Sequence, residues 1–304
     1  MRRTVLSLFL LAALQLVSRS GEAFCRTTTC SDCPVDQNGC TIGGTPISWP
    51  QACVSFSVQK DGSKIAPYPV AERLVRSAFN SWTAPQCGKD FVSPSISLVD
   101  QYGPVLCTKH EYNVGRGNAN AIIFHDDVWP YPDDVQNTLA LTTVTFDKNT
   151  GNIHDADLEI NSTQPLSVET PVPSDKYDLP SILAHETGHF LGLAHSIDPA
   201  SVMRRSYIPG DDSFRRLGAD DTAGICEIYQ PDFPNGACDF TPRYGFSPAC
   251  AILVSSGQSC AFSPLARKHS SEQGFGHAWQ WLAATALALA GRGVSKRIRR
   301  RPPA

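Results

Sequence analysis

The spacing of apolar and polar positions predicts several strands and one helix in the first half of the chain. Apolar residues recur at helical spacing over residues 69–82, which predicts an amphipathic helix. Alternating or short apolar runs bounded by turn residues predict strands at 52–58, 95–99, 121–124, 139–146 and 153–160. This order of elements is typical of a twisted sheet with helices packed on it.

Helix signals dominate after the last of these strands. Asp178 can cap a helix that carries Pro180 in its first turn, and Gly192 is a natural stop for it. The apolar face of this helix consists of Leu179, Ile182, Leu183, Phe190 and Leu191. A last helix is predicted from about Asp220, as its N-cap, to Tyr229.

Composition and charge are those of a folded protein that does not bind nucleic acid. The 304 residues are 41% hydrophobic and 18% charged, enough for one good-sized domain or two small ones. The net charge of −3 combines +2 in residues 1–23, +6 in residues 278–304 and therefore −11 in the body between them. An acidic body argues against a nucleic-acid partner, because phosphate binding needs clustered lysine and arginine.

The N-terminus has the pattern of a secretory signal peptide. Two arginines precede the apolar run 5–14, and the small residues Gly21 and Ala23 follow. We therefore predict a signal peptide over residues 1–23, with cleavage after Ala23. A buried N-terminal helix is the alternative. The prediction places the protein outside the cell or on its surface.

Eleven cysteines in an exported chain predict disulfide bonds. Four of them lie in residues 24–45, which we expect to form a short Cys-rich lead-in. Cys30 and Cys33 have the spacing of a zinc or redox pair, but an oxidising compartment favours their inclusion in the disulfide framework. Ten cysteines would form five bridges and leave one over, and the sequence does not assign the pairs.

The C-terminal region divides into a Cys-containing linker, residues 231–277, and an apolar-plus-basic tail, residues 278–304. The apolar part of the tail would span about 20 Å as a helix, less than the ~30 Å hydrocarbon layer of a bilayer. The tail resembles the sorting tails of myxobacterial surface proteins, and that resemblance implies that Cys260 begins it. An amphipathic helix and a membrane span are the alternatives, and we expect transient membrane association through this tail.

The stretch His185-Glu-Thr-Gly-His-Phe-Leu-Gly-Leu-Ala-His195 predicts a metal site. His185 and His189 are four apart on a helix and project from one face, so both can bind one ion. Gly192 ends the helix and permits a turn that brings His195 back as a third ligand. Three neutral nitrogens leave the fourth zinc position open, as in catalytic sites, and Glu186 is placed to take a proton from water.

The alternative for these histidines is a core helix or a solvated face. Three of the eight histidines in the chain fall at ligand spacing around one glutamate and one glycine, which favours the metal site.

The string H-E-x-x-H-x-x-G-x-x-H resembles the metzincin zinc peptidases, and its surroundings resemble their matrixin branch. Leu193 and Ser196 within and after the motif, Met203 and Tyr207 beyond it, and the segments 151–159 and 220–229 carry the likeness. It covers residues 46–230. It implies an α+β, metzincin-like catalytic domain with a twisted mixed β-sheet, packed helices and an active-site helix across the cleft.

The resemblance also implies roles for individual residues. Met203 would form the turn beneath the metal, Tyr207 would stand in the wall of the substrate pocket, and Glu186 would be the catalytic base beside one zinc ion. The predicted activity is that of a secreted or surface-associated zinc endopeptidase, monomeric, acting on a protein or peptide laid along the strand 139–146. The alternative is a non-catalytic, zinc-binding adhesion or structural protein of the cell surface.

The chain departs from many matrixins at two places. It contains no Pro-Arg-Cys-Gly segment of the kind that holds those enzymes latent through a cysteine–zinc bond. The histidines of a second, structural zinc are largely missing, although His154 and His125 lie near matching places. The acids Asp155, Asp157 and Glu159 could bind calcium, since carboxylate oxygens suit that ion; a solvated strand face is the alternative.

Overall fold

The structure is a computed structural model that describes residues 23–132, 138–231, 238–250 and, by its backbone, a strand at 294–300. Residues 1–22 of the predicted signal peptide, the apolar part of the tail and Cys260 lie outside these residues, and so do the predictions made for them. Within the described ranges, none of the helices has the length and apolar character needed to cross a bilayer.

The described residues form an α+β fold of the metzincin-like kind, as predicted. The helices are α1 Tyr68–Thr83, α2 Leu179–Phe190 and α3 Ala219–Ile228. The strands are β1 Cys25–Arg26, β2 Cys53–Ser55, β3 Ser57–Val58, β4 Ser97–Val99, β5 Ala121–Phe124, β6 Thr138–Phe146, β7 Ile153–Ile160, β8 Leu166–Ser167, β9 Tyr177–Asp178, β10 Leu193–Ala194, β11 Ser206–Tyr207 and β12 Val294–Arg300.

A mixed sheet in the order β11-β12-β6-β7-β5-β3 forms the centre of the fold. β6 pairs with β7 in antiparallel fashion, whereas β5 pairs in parallel with both β7 and β3. β6 and β7 are buried along nearly their whole length on both faces, although one face of β7 carries its acidic residues. The prediction of a twisted mixed sheet with packed helices is confirmed.

The single strand predicted at residues 52–58 is wrong, because the chain changes neighbours in its middle. The amide of Phe56 donates to Val99, while the amide of Ser57 donates to Asn120 of the central sheet. β2 therefore pairs with β4 in a separate two-stranded sheet, and only β3 joins the central one. Phe56 lies at the junction and stacks on Phe79 of α1, with ring centroids 4.0 Å apart.

Helix α1 forms where its apolar stripe predicts it and packs against α2. Its buried face consists of Ala71, Val75, Ala78, Phe79 and Trp82. The indole nitrogen of Trp82 donates a hydrogen bond of 2.8 Å to the carbonyl of Ala184 in α2. This contact joins a buried polar group of one helix to the backbone of the other, so it holds the two at a defined register.

The predicted N-cap of the last helix is wrong. α3 begins at Ala219 with Gly218 as its N-cap, and the amide of Gly218 donates to the Asp221 carboxylate at 2.8 Å. Asp220 is one residue inside the helix and accepts instead from Ser196 and from the amides of Ala23 and Phe24. Asp221 also accepts from the hydroxyl of Ser201 and the amide of Val202, so both acids of the first turn hold neighbouring segments.

Five disulfides connect the described cysteines: Cys25–Cys40, Cys30–Cys33, Cys53–Cys238, Cys87–Cys226 and Cys107–Cys250. The prediction that Cys30 and Cys33 belong to the disulfide framework is confirmed, since they bond to each other. The lead-in docks directly on the fold, because β1 pairs with β10, the strand that leads into His195. The segment 238–250 is tied back by two long-range bridges.

Candidate metal centre

Helix α2 is anchored at its start by Asp178. Its carboxylate accepts from the amide of Ser181 at 3.0 Å, as an N-cap should, and Pro180 has no amide that would need a partner. Arg215 donates two hydrogen bonds to the same carboxylate, at 2.8 and 2.6 Å. A bidentate pair of this kind is directional, so it sets where the helix begins relative to the loop that carries Arg215.

His185 and His189 are fully buried on α2, and each makes one hydrogen bond through Nδ1. His185 donates to the carbonyl of Val202 at 2.7 Å, and His189 donates to the carbonyl of Leu193 at 2.8 Å. A carbonyl can only accept, so both Nδ1 atoms carry the proton when the rings are neutral. Burial lowers the pKa of His185 to about 4, which keeps that ring neutral at physiological pH.

The two Nε2 atoms then face each other, 3.1 Å apart. When both rings are neutral, the two Nε2 atoms are both acceptors, and a cation bound between them removes their repulsion. Two nitrogens bound tetrahedrally to one zinc ion, each at about 2.0–2.1 Å, would be ~3.3 Å apart. The observed spacing and donor chemistry of these histidines therefore fit a zinc ion.

Gly192 turns the chain so that the third histidine joins this pair. Its φ of +97° is a left-handed conformation, and a Cβ there would lie 2.5 Å from the carbonyl oxygen of Ile47. Beyond the turn, the ring of His195 lies 5.3 Å from that of His185 and 4.9 Å from that of His189. One ligand atom from each ring lies within 4.8 Å of the others, and no other such group occurs among the described residues.

Glu186 is fully buried beside this centre. One of its oxygens, Oε2, accepts from the hydroxyl of Thr142 in β6; the other, Oε1, has no hydrogen-bond partner among the described residues. Burial raises the pKa of Glu186 to about 8, and the Thr142 hydrogen bond opposes this. A divalent cation nearby would also lower that pKa, because it stabilises the carboxylate. Sequence reasoning missed Thr142, since its contact with Glu186 spans 44 residues of chain.

Met203 packs against α2 at Gly188, between the two helical histidines. A Cβ at position 188 would lie 2.2 Å from the Met203 sulfur and 2.8 Å from Cζ2 of Trp82. The glycine is therefore required by the close approach of Met203 and Trp82 rather than by its own backbone. Sequence reasoning missed Gly188, although a glycine inside a buried helix is itself a signal of close packing.

Tyr207 contacts the backbone of Val202, the residue that holds His185. Its hydroxyl donates to the carbonyl of Val202 at 2.8 Å, the acceptor that also holds His185. Its ring lies 5.7 Å from the His185 ring. Val202 thus couples the orientation of a candidate ligand to the loop that carries Tyr207.

The three acids considered for calcium lie on one face of β7, and all are buried. The alternative of a solvated face is therefore wrong. Asp157 accepts from the amides of Ala121 and Glu111. Glu159 accepts from His110, His125 and Tyr131, and these bonds outweigh its burial and lower its pKa to about 2. Asp155 has one oxygen, Oδ1, without a partner among the described residues.

Comparison with known proteins agrees with this geometry. Residues 97–230 match the family model of the matrixins. The chain is 27% identical to mouse matrix metalloproteinase-16 over 187 residues, which is 62% of this chain and 28% of that protein. It is 30% identical to human matrilysin over 169 residues, which is 54% of this chain and 52% of that one.

A shorter match of 56 residues, 46% identical, links it to human neutrophil collagenase and covers 18% of this chain and 12% of that protein. The chain therefore spans less than a third of the length of matrix metalloproteinase-16 and about half that of matrilysin. The matches support a matrixin-like metallopeptidase at low identity.

Proposed function

We propose that this protein is a zinc-dependent endopeptidase, exported from the cell. One observation carries the proposal: the Nε2 atoms of His185 and His189 lie 3.1 Å apart, with a third histidine and a buried glutamate beside them. The histidines alone would suit a metal-binding scaffold. Glu186 is what a hydrolase needs in addition, because its Oε1 has no partner and can accept a proton.

In this proposal His185, His189 and His195 hold the zinc ion. Zinc, when bound there, supplies a Lewis acid that polarises the scissile carbonyl and makes water more acidic. Glu186 accepts the proton of the attacking water at Oε1 and delivers it to the amine of the leaving peptide. Thr142 keeps the other oxygen engaged, so the carboxylate presents one defined atom to the water.

The substrate of this centre would be a protein or peptide in extended conformation. We place it along the outer edge of β6, where main-chain pairing gives affinity without a fixed sequence. Residues 203–210 would line the pocket for the side chain that follows the cut, with Met203 and Tyr207 holding the pocket against α2. We propose that the protein acts as a monomer through a catalytic domain of residues 46–230.

An incubation with an unfolded protein separates this proposal from a non-catalytic surface protein. We expect new N-termini to appear in the unfolded protein, to be lost with a zinc chelator and to return on dialysis against zinc. Mass spectrometry of the digest gives the cleavage sites directly. Binding of the unfolded protein without new N-termini, with zinc present, would instead favour the adhesion alternative.

Calcium binding at Asp155, Asp157 and Glu159 stays a prediction. Only Asp155 offers an oxygen without a partner, so a site there would require Asp157 or Glu159 to exchange their present hydrogen bonds. The melting temperature with calcium and with a calcium chelator tests it, with Asp155→Asn as the control. The surface-sorting role of the tail likewise stays a prediction.

A further inference from the structure

The outer edge of β6 is paired with a strand from the C-terminus of the same chain. β12 runs antiparallel to β6, with Val294 opposite Val144 and Lys296 opposite Thr142. On its other side β12 runs parallel to β11, with Arg300 opposite Tyr207. The backbone of this segment therefore lies between the two elements that we assign to the substrate groove.

Both strands that flank β12 also contact the metal-binding helix. Thr142 of β6 donates to the side chain of Glu186, and Lys296 is the residue opposite Thr142 in the register. Tyr207 of β11 shares the Val202 carbonyl with His185. The backbone of β12 therefore runs beside the strand residues that hold the candidate base Glu186 and the first histidine, His185.

We infer that residues 294–300 are an intramolecular occupant of the substrate groove and that a protein substrate must displace them. This inference rests on the proposed function, because it assigns a regulator to that same site. The groove pairs with an extended backbone on both sides, and the segment supplies one in a substrate-like position. The full chain would then hydrolyse a peptide more slowly than a chain whose groove is not occupied by this segment.

Charge and connectivity both favour this occupant. The segment carries four basic residues, Lys296, Arg297, Arg299 and Arg300, whereas residues 24–277 carry a net charge of −11. Because the segment belongs to the same chain, its effective concentration at the groove is on the order of 1 mM. A segment that binds with a dissociation constant of ~0.1 mM would therefore raise the apparent KM about tenfold.

The test replaces two adjacent residues of the strand in the full chain. Lys296→Pro with Arg297→Pro removes at least one amide from the β6 ladder and imposes proline geometry on the segment. The matched control, Lys296→Arg with Arg297→Lys, keeps both charges and both amides. With a quenched fluorescent peptide, we expect KM to fall about tenfold in the proline variant and to stay unchanged in the control. A synthetic peptide of residues 292–304 should then inhibit the proline variant competitively.

Hydrogen exchange of the β6 amides gives a second readout that does not depend on turnover. We expect faster exchange over residues 138–146 in the proline variant than in the control, with α1 unchanged as an internal reference. Unchanged exchange and unchanged KM would overturn the inference while leaving the peptidase proposal intact. Faster exchange with no hydrolysis by any of the proteins would support occupancy of the groove and contradict the proposed function instead.

Discussion

Replacing Glu186 with glutamine should lower kcat for peptide hydrolysis by at least ~100-fold while zinc stays bound. General acid–base catalysis contributes about 10²–10⁴-fold to a rate, and the amide keeps the size of the side chain but accepts no proton. Glutamine can still accept the hydrogen bond from Thr142, so the contact between α2 and β6 survives. The measurements are kcat on a quenched peptide and metal content on the same preparation.

The matched control is Glu227→Gln, which makes the same chemical change on the exposed face of α3. It should leave both kcat and zinc content unaltered. Retention of most of the activity in the Glu186 variant would show that another group takes the proton. Loss of zinc together with activity would make Glu186 a support of the metal site rather than its base.

Replacing Gly188 with alanine should disturb the histidine cluster, because it adds a methyl group where Met203 packs against α2. The new Cβ would meet the Met203 sulfur at 2.2 Å and Trp82 at 2.8 Å, in a region that is fully buried. Overpacking of this kind costs about 1–3 kcal/mol, which offsets or outweighs the ~1 kcal/mol that alanine gains over glycine in a helix. Because displacement of a catalytic group by 1 Å can cost about 100-fold in rate, we expect Gly188→Ala to lose activity as well as stability.

A double-mutant cycle tests whether Met203 is the cause. Met203→Ala opens space below position 188, so Gly188→Ala should cost much less stability in that background than alone. The free energy of unfolding from denaturant titration of the four proteins gives the coupling. If Gly188→Ala lowers the free energy of unfolding equally in both backgrounds, Met203 is not the source of the steric strain, and Trp82 is the remaining contact.

The parts of the site that lie close together in the chain could be predicted from the sequence. Helical geometry alone puts His185 and His189 on one face, and Gly192 marks the turn before His195. The bounds of α1 and of β7 could also be predicted, because apolar residues recur at regular spacing along each of them. Tertiary contacts reinforce these elements but do not create their pattern.

What could not be predicted depends on contacts between distant segments. Thr142 carries no local sign that it would reach Glu186, and the five disulfide pairs join cysteines up to 185 residues apart. Asp220 looked like a helix cap because its local context suits one, yet it holds the lead-in. The strand at 294–300 follows an apolar segment and itself carries four basic residues, and nothing local indicates that it would pair with β6.

Zinc titration of metal-depleted protein tests the central claim most directly. Hydrolysis of a peptide bond, followed by mass spectrometry of the products, should be absent without metal, rise linearly with added zinc and saturate at one zinc ion per chain. The same titration of His189→Ala should give no hydrolysis at that ratio. Full hydrolysis by the metal-depleted protein, or none at saturating zinc in both the full chain and the proline variant, would contradict the account.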